Sequence, residues 1–262
     1  MPDPLVVTRV QDGVAVLELN NPPANCYSYE LMQQLDAAIL DARMNEAVQV
    51  MVLRGAGEKF FCAGADIRML QGATPQFKYA FCLHANETLC RLEQTPKLVI
   101  AALNGHTVGG GLEVALACDL RLARQGGGAI GLPEVALGVL PGTGGTQRLA
   151  RLVGPSKAIE IMAKGGTFSF EEAAALGLVT QVIAGDDFDG QVLRYAAQFC
   201  APRKASRAVG RIKRAVRTGI EIPLFEALAL ERELQQQLFE SADAKEGLAA
   251  YLEKRTPRFE GR

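Results

Sequence analysis

The sequence predicts an α/β protein with a helical C-terminal part. Short β-branched or wholly apolar runs alternate with amphipathic helical patterns over roughly the first 190 residues, the mark of a sheet covered by helices. From Asp186 onward the pattern is helical only, punctuated by Pro202, Gly219 and Pro223. The chain has 262 residues, of which 48% are hydrophobic, ample for a large core. The expected division is an α/β core over 1–195 and a helical region over 196–262.

Each element follows from local pattern. LVVTRVQDGVAVLELN reads as two strands joined at Asp12-Gly13, a dipeptide that tolerates the positive φ of a tight hairpin. Ser28 is placed to cap the helix YELMQQLDAAILDARMN, whose Leu31, Leu35, Ala38 and Ile39 share a face. VQVMVLRG, KLVIAALNG and DLRLAR read as core strands, and KLVIAALNG is apolar enough to be buried on both faces. A helix GGLEVALAC lies between the last two. Pro75 to Glu93 is helical and stops at Thr95-Pro96. Thr146 to Val153 and Ser156 to Ala163 are helices parted by Gly154-Pro155. Ser169 and Glu172 have capping-box spacing, and LVTQVI follows as a strand.

Composition excludes several classes. A net charge of -1 with 22% charged residues gives no basic surplus for nucleic acid. MPDPLVVTRV has no basic region leading into an apolar stretch, so no secretory leader is expected. The longest uncharged run, Leu98 to Leu112, is broken by Asn104, Gly105 and His106, which argues against a membrane span. None of the six cysteines has CxxC spacing and there are only two histidines, so neither a zinc cluster nor a disulfide framework is expected. A reducing, cytoplasmic setting fits.

Two carboxylates stand out by isolation. Glu113 is the only charged residue between Lys97 and Asp119, and Glu134 the only one between Arg124 and Arg148. Burying such a group raises its pKa toward the range useful for proton transfer. The bland alternative is a helix N-terminal acid stabilised by the helix dipole. Both lie beside glycine-rich turns, VGGGLE at 108–113 and GVLPGTGGT at 138–146. Neither turn fits a phosphate cradle: no lysine follows, and Val114 and Gln147 fall where a Rossmann glycine belongs. A third loop, FFCAGADI at 60–67, is small enough for close backbone approach. One N–H from this loop and one from the glycine triplet would make an oxyanion hole, each donor contributing on the order of 3 kcal/mol. No Ser-His or Cys-His pairing is visible, so an enolate is the natural anion.

FFCAGADIRML, AALNGHTVGGGLEVALACDLRLA and LPEVALGVLPGTGGTQRLARLVG resemble the motifs of the crotonase superfamily, the enoyl-CoA hydratases and isomerases, and the likeness extends to the ending EGLAAYLEKRTPRFEGR. The resemblance implies a spiral of ββα units with a helical C-terminal oligomerisation region, assembling as a homotrimer or a hexameric dimer of trimers. It implies an oxyanion hole from the N–H groups of Ala65 and Gly110, binding the thioester oxygen of an acyl-CoA. Ala63, Ala65, Asp66, Ile67 and Arg68 would line the CoA and thioester site, with Gly142 on the substrate side. Ala24, in a loop shorter than the common version, matches the adenine-side segment. Hydratases of this family carry a glutamate two residues after the glycine triplet and another in a Pro-Glu dipeptide, matching Glu113 and Glu134. The implied reaction is hydration of a trans-2-enoyl-CoA to a 3-hydroxyacyl-CoA, with Glu113 on water, Glu134 protonating C2, and no cofactor beyond the CoA of the substrate. A double-bond isomerase or other crotonase-fold lyase, and a non-catalytic CoA- or RNA-binding scaffold, are the alternatives. Tyr251 and Lys254 match positions that reach the CoA of a neighbouring subunit.

Arg203 to Arg217, RKASRAVGRIKRAVR, holds seven basic residues and no acid. A nucleic-acid helix is one reading, disfavoured because no aromatics interleave and the whole chain is near neutral. A solvated helix face near the CoA phosphates is the other.

Overall fold

The structure is a computed structural model describing residues 3–261. Met1, Pro2 and Arg262, the ends of the two expected regions, lie outside the described residues. The chain opens with the hairpin of β1 (Val6–Gln11) and β2 (Val14–Leu19), turned by Asp12 and Gly13 at φ 49° and 82°. Helix α1 (Tyr29–Met44) follows, its first turn capped by the Ser28 side chain accepting the Leu31 N–H.

Three strand–strand–helix turns then follow. They are β3 (Val50–Gly55) and β4 (Phe60–Cys62) with α2 (Ile67–Gln71) and α3 (Pro75–Gln94); β5 (Leu98–Leu103) and β6 (His106–Val108) with α4 (Gly110–Leu116); and β7 (Leu120–Arg124) and β8 (Ala129–Gly131) with a 3-10 turn (Glu134–Leu137) and α5 (Gly145–Val153). The first strand of each turn joins a six-stranded sheet ordered β1-β2-β3-β5-β7-β10, parallel except for β1. The second strand of each joins a four-stranded sheet ordered β4-β6-β8-β9. After α5 come α6 (Pro155–Lys164), β9 (Thr167–Ser169), α7 (Phe170–Ala175), β10 (Gln181–Ile183) and α8 (Phe188–Ala197). Ser169 and Glu172 form the expected capping box.

The larger sheet is covered on both sides, and alternation sorts its residues. Met51 and Leu53 of β3 face the main core with Leu31 and Leu35 of α1. Val50 and Val52 face the other side, where Phe188, Val192 and Ala196 of α8 cover them. β5 is buried at all six positions, as its apolar run predicts. The smaller sheet was not foreseen. Its strands are three residues long, too short for a period-two pattern to register. The Gly126–Gly128 turn leads directly into one of them, β8.

The C-terminal helices are α9 (Ser206–Gly219), α10 (Leu224–Phe239) and α11 (Ala242–Leu252). The basic segment is not simply a solvated face. Lys213 is 7% exposed, and its Nζ meets Asp119 Oδ2 at 2.9 Å while donating to Lys97 O at 3.0 Å. Arg217 pairs with Asp119 and with Glu93. Two of the seven basic residues therefore turn inward, which weakens the nucleic-acid reading further. No helix among the described residues is long and apolar enough to cross a membrane.

Candidate active site

β4, β6 and β8 are parallel neighbours, with Phe60 opposite His106 and Thr107 opposite Ile130. Their carboxyl ends therefore lie side by side, where ligands gather on parallel sheets. The segments after them are Ala63–Ile67, Gly109–Glu113 and Pro133–Glu134. Three sequence motifs that looked independent thus converge because each follows the second strand of its ββα turn.

The first two segments meet backbone to backbone. Gly64, at φ +92°, lies so close that a Cβ there would stand 2.9 Å from Gly110 N. Ala65 is held as an isolated parallel bridge to Tyr27, with Tyr27 N–H donating to Gly64 O at 2.9 Å and Asp66 N–H to Tyr27 O at 3.0 Å. That pairing turns the Ala65 N–H away from Tyr27. Among the described residues, neither the Ala65 N–H nor the Gly110 N–H donates to an acceptor within the chain. Gly110 starts α4, so its N–H is also one of the donors a helix start leaves unpaired. Only glycine fits there, because a Cβ would overlap the Tyr27 hydroxyl.

Glu113 is 2% exposed in the first turn of α4. Its Oε1 accepts the N–H groups of Thr143 and Gly145, each at 2.7 Å. Burial raises its pKa, and those two backbone donors pull partly against the rise. Thr143 is itself buried, and its hydroxyl shares a 3.0 Å hydrogen bond with Tyr27 Oη. Burial pushes the Tyr27 phenol well above its ordinary value, and the Glu113 charge adds to that.

Glu134 begins the 3-10 turn, which ends at Gly138 in the left-handed region. Its Oε1 lies 3.2 Å from where a Cβ on Gly109 would stand. Its Oε2 is buried and has no hydrogen-bond partner. Desolvation, with the Glu113 charge adding to it, raises the Glu134 pKa to about 7. The two isolated carboxylates are thus brought together in different surroundings.

The other expected positions divide. Ala24 pairs with the site, its carbonyl accepting the Ala63 N–H at 3.0 Å. The Asp66 carboxylate caps α2 by accepting from Arg68 and Met69 N–H, while Ile67 and Arg68 are exposed. Gly142 precedes Thr143, a donor to Glu113, and its carbonyl accepts from Asn86 at 3.5 Å. Tyr251, 83% exposed, lies near the end of α11 and Lys254, also exposed, just beyond it; among the described residues neither pairs with Glu113 or Glu134. Tyr27, Thr143 and Gly145 were not foreseen as site residues. Among the described residues, no group of three His, Cys, Asp or Glu could hold a metal ion.

The family model described as enoyl-CoA hydratase/isomerase matches residues 9–262. A crotonyl-CoA hydratase from Syntrophomonas wolfei is 33% identical, with 97% of each chain covered. A short-chain-enoyl-CoA hydratase from Clostridium acetobutylicum is 35% identical, with 95% of each covered. A solved enoyl-CoA hydratase structure from Geobacillus kaustophilus HTA426 superposes with a TM-score of 0.96 at 45% identity, covering 100% of this chain and 98% of that one.

Proposed function

Because the chain belongs to the enoyl-CoA hydratase/isomerase family, we propose that it is a hydro-lyase adding water reversibly to a trans-2-enoyl-CoA to give a 3-hydroxyacyl-CoA. The thioester oxygen is received by the Ala65 and Gly110 N–H groups, whose lack of other acceptors leaves them free to stabilise it as it gains negative charge. Glu113 holds and deprotonates the water that bonds to C3. Glu134 delivers a proton to C2, and the electron pair of the enolate forms the new C–H bond. Water thereby loses one proton to Glu113 and C2 gains one from Glu134, and the second proton of the water stays on the new hydroxyl.

The observation that carries this reading is the contrast between the two acids. Glu113 receives two backbone N–H donors that favour its carboxylate, whereas Glu134 has an unpartnered buried oxygen and titrates at about 7. A group near pH 7 can give a proton in one direction and take it back in the other. The Glu113 charge adds to the rise at Glu134, which desolvation dominates. The test is a turnover assay with crotonyl-CoA beside a 3-enoyl-CoA. Hydration of crotonyl-CoA supports the reading, while double-bond migration without hydration replaces it with the isomerase.

The same reading includes a homotrimer or hexamer in which Tyr251 and Lys254 reach the CoA of a neighbouring copy. Phe225, Phe239, Tyr251 and Leu252 on the C-terminal helices are 85%, 63%, 83% and 81% exposed, an apolar surface that association would cover. Light scattering on dilution, read beside CoA affinity, tests it: a monomer with undiminished affinity excludes a shared site.

A further inference from the structure

One residue outside the two carboxylates meets both the oxyanion donors and the water-side acid. Tyr27, two residues ahead of α1, is 2% exposed. Its backbone carries the bridge to Ala65, donating to Gly64 O at 2.9 Å and accepting from the Asp66 N–H at 3.0 Å. Its hydroxyl fills the space where a side chain on Gly110 would stand. The same hydroxyl shares a 3.0 Å hydrogen bond with Thr143 Oγ1, and Thr143 gives its N–H to Glu113 Oε1 at 2.7 Å. Phenylalanine would fill this core position, 5.9 Å from the Phe81 ring, without burying a hydroxyl. A buried hydroxyl left unpaired costs about 1–3 kcal/mol, so the one carried here points to its partner, Thr143.

Thr143 needs holding. Gly142, Gly144 and Gly145 flank it, so little in the backbone of this loop fixes its course. Apart from Glu113, the side chains that hold residues 142–145 among the described residues are Tyr27, Asn86 and Arg148. Asn86 donates to Gly142 O at 3.5 Å and Arg148 Nη1 to Thr143 O at 3.3 Å, so the Tyr27 contact is the shortest. The loop in turn decides the state of Glu113. Burial favours its neutral form, while the Gly145 and Thr143 N–H groups and the Thr143 hydroxyl favour its carboxylate. The other charged or titratable groups around it are Glu134 of the 3-10 turn, Lys78 of α3, Tyr27 and, behind Thr143, Arg148 of α5; α4 carries no second charge.

We propose that Tyr27 is a positioning residue for the hydration: its hydroxyl holds Thr143 where the Thr143 N–H fixes the Glu113 carboxylate, in register with Ala65 and Gly110. The role rests on the hydratase reading and adds to it a residue that acts through another. Burial keeps the Tyr27 phenol protonated by raising it well above its ordinary value, so it takes no proton from water. Its backbone and its hydroxyl serve different ends. The backbone sets the Ala65 segment and survives any substitution of the side chain, whereas the hydroxyl alone reaches Thr143.

The experiment measures kcat and KM for crotonyl-CoA hydration across pH in the wild type, Tyr27→Phe, Thr143→Val and Thr143→Ser. Hydration needs Glu113 as the carboxylate, so the acid limb of kcat/KM reports its state. Thr143→Val should lower kcat/KM about tenfold more on the acid limb than at the maximum, the scale of one hydrogen bond to a charged group. Tyr27→Phe, one contact further away, should do the same by about threefold, with the loss in kcat and KM within about twofold. Thr143→Ser keeps the hydroxyl and should keep the wild-type shape of the profile. A Tyr27→Phe enzyme with a lower Tm but an unmoved acid limb would overturn the proposal and leave the hydroxyl a packing element. Where Tyr27→Phe proves too unstable to assay, the Thr143→Val and Thr143→Ser pair decides on the same terms: equal profiles overturn it. A wild type that does not hydrate crotonyl-CoA removes the hydratase reading, and this role with it.

Discussion

Thr143 donates its backbone N–H to Glu113 Oε1 at 2.7 Å, across a separation in sequence that only the ββα winding closes. The loop carrying Thr143 thus fixes one oxygen of a carboxylate that is 2% exposed. The same residue ties that carboxylate to Tyr27 through the 3.0 Å hydroxyl contact. Gly110, packed against the Tyr27 hydroxyl, and Glu113 are therefore braced by one short chain of contacts.

Glu134→Gln should lower kcat for crotonyl-CoA hydration by about 10²–10⁴-fold, the usual contribution of a positioned acid–base group. Acyl-CoA binding should persist, because the proposed contacts to the thioester oxygen come from Ala65 and Gly110 and not from Glu134. Turnover together with calorimetric titration of a product acyl-CoA checks both halves. Turnover near the wild-type value would remove Glu134 from its role.

Glu134 titrates at about 7, so direction of reaction should set the pH profile. Hydration needs its protonated form and should weaken as pH rises through 7. Dehydration needs its carboxylate and should weaken as pH falls through 7. Rate profiles measured in both directions test this, and parallel profiles would assign the proton donor elsewhere.

The same pKa makes a stability statement of definite sign. Between the ordinary carboxylate value of 4.5 and about 7, the folded state holds a proton that the unfolded chain has released, so stability falls as pH rises through that window. Glu134→Gln removes this dependence. Its Tm should exceed that of the wild type by more at pH 8 than at pH 5, and a pH-independent difference would contradict the burial of Oε2.

Tyr27→Phe takes from the buried Thr143 hydroxyl its 3.0 Å partner and leaves it only the Glu113 carboxylate. The expected loss is about 1–3 kcal/mol of stability, as for a buried polar group deprived of its partner. Urea unfolding checks it. Tyr27→Phe with Thr143→Val should recover part of the loss, since neither polar group then remains.

Lys213→Met should destabilise the fold toward the lower end of the roughly 3–5 kcal/mol seen when one member of a buried pair is removed, because Arg217 still reaches Asp119. The Tm of Lys213→Met set against Arg203→Met is the control. Equal, small shifts would return the basic segment to the solvent.

Much of the architecture was legible because it rests on local periodicity. The apolar run of β5, the Ser28 cap and the Asp12-Gly13 hairpin are decided by neighbours within a few residues. Glu113 and Glu134 were legible for a different reason: a lone carboxylate in an apolar, glycine-rich stretch needs an explanation wherever it folds. The small sheet was not legible, since HTV and AIG are too short to show a period.

What the sequence by itself determined was the α/β class, the isolation of the two acids, and the motifs of a family that builds an oxyanion hole from backbone N–H groups. The tertiary structure alone decided which donors meet Glu113, why Gly110 bears no side chain, and which basic residues of α9 turn inward. The first two depend on residues far apart in the chain meeting near the carboxyl ends of β4, β6 and β8, and the third on α9 packing against Glu93, Lys97 and Asp119, ahead of β5 and β7. A hydrogen bond, a desolvated oxygen or an ion pair exists only once such distant segments are side by side. Glu134 shows the difference most directly: its solitude was written in the sequence, but its unpartnered Oε2 and elevated pKa belong to the packing around it.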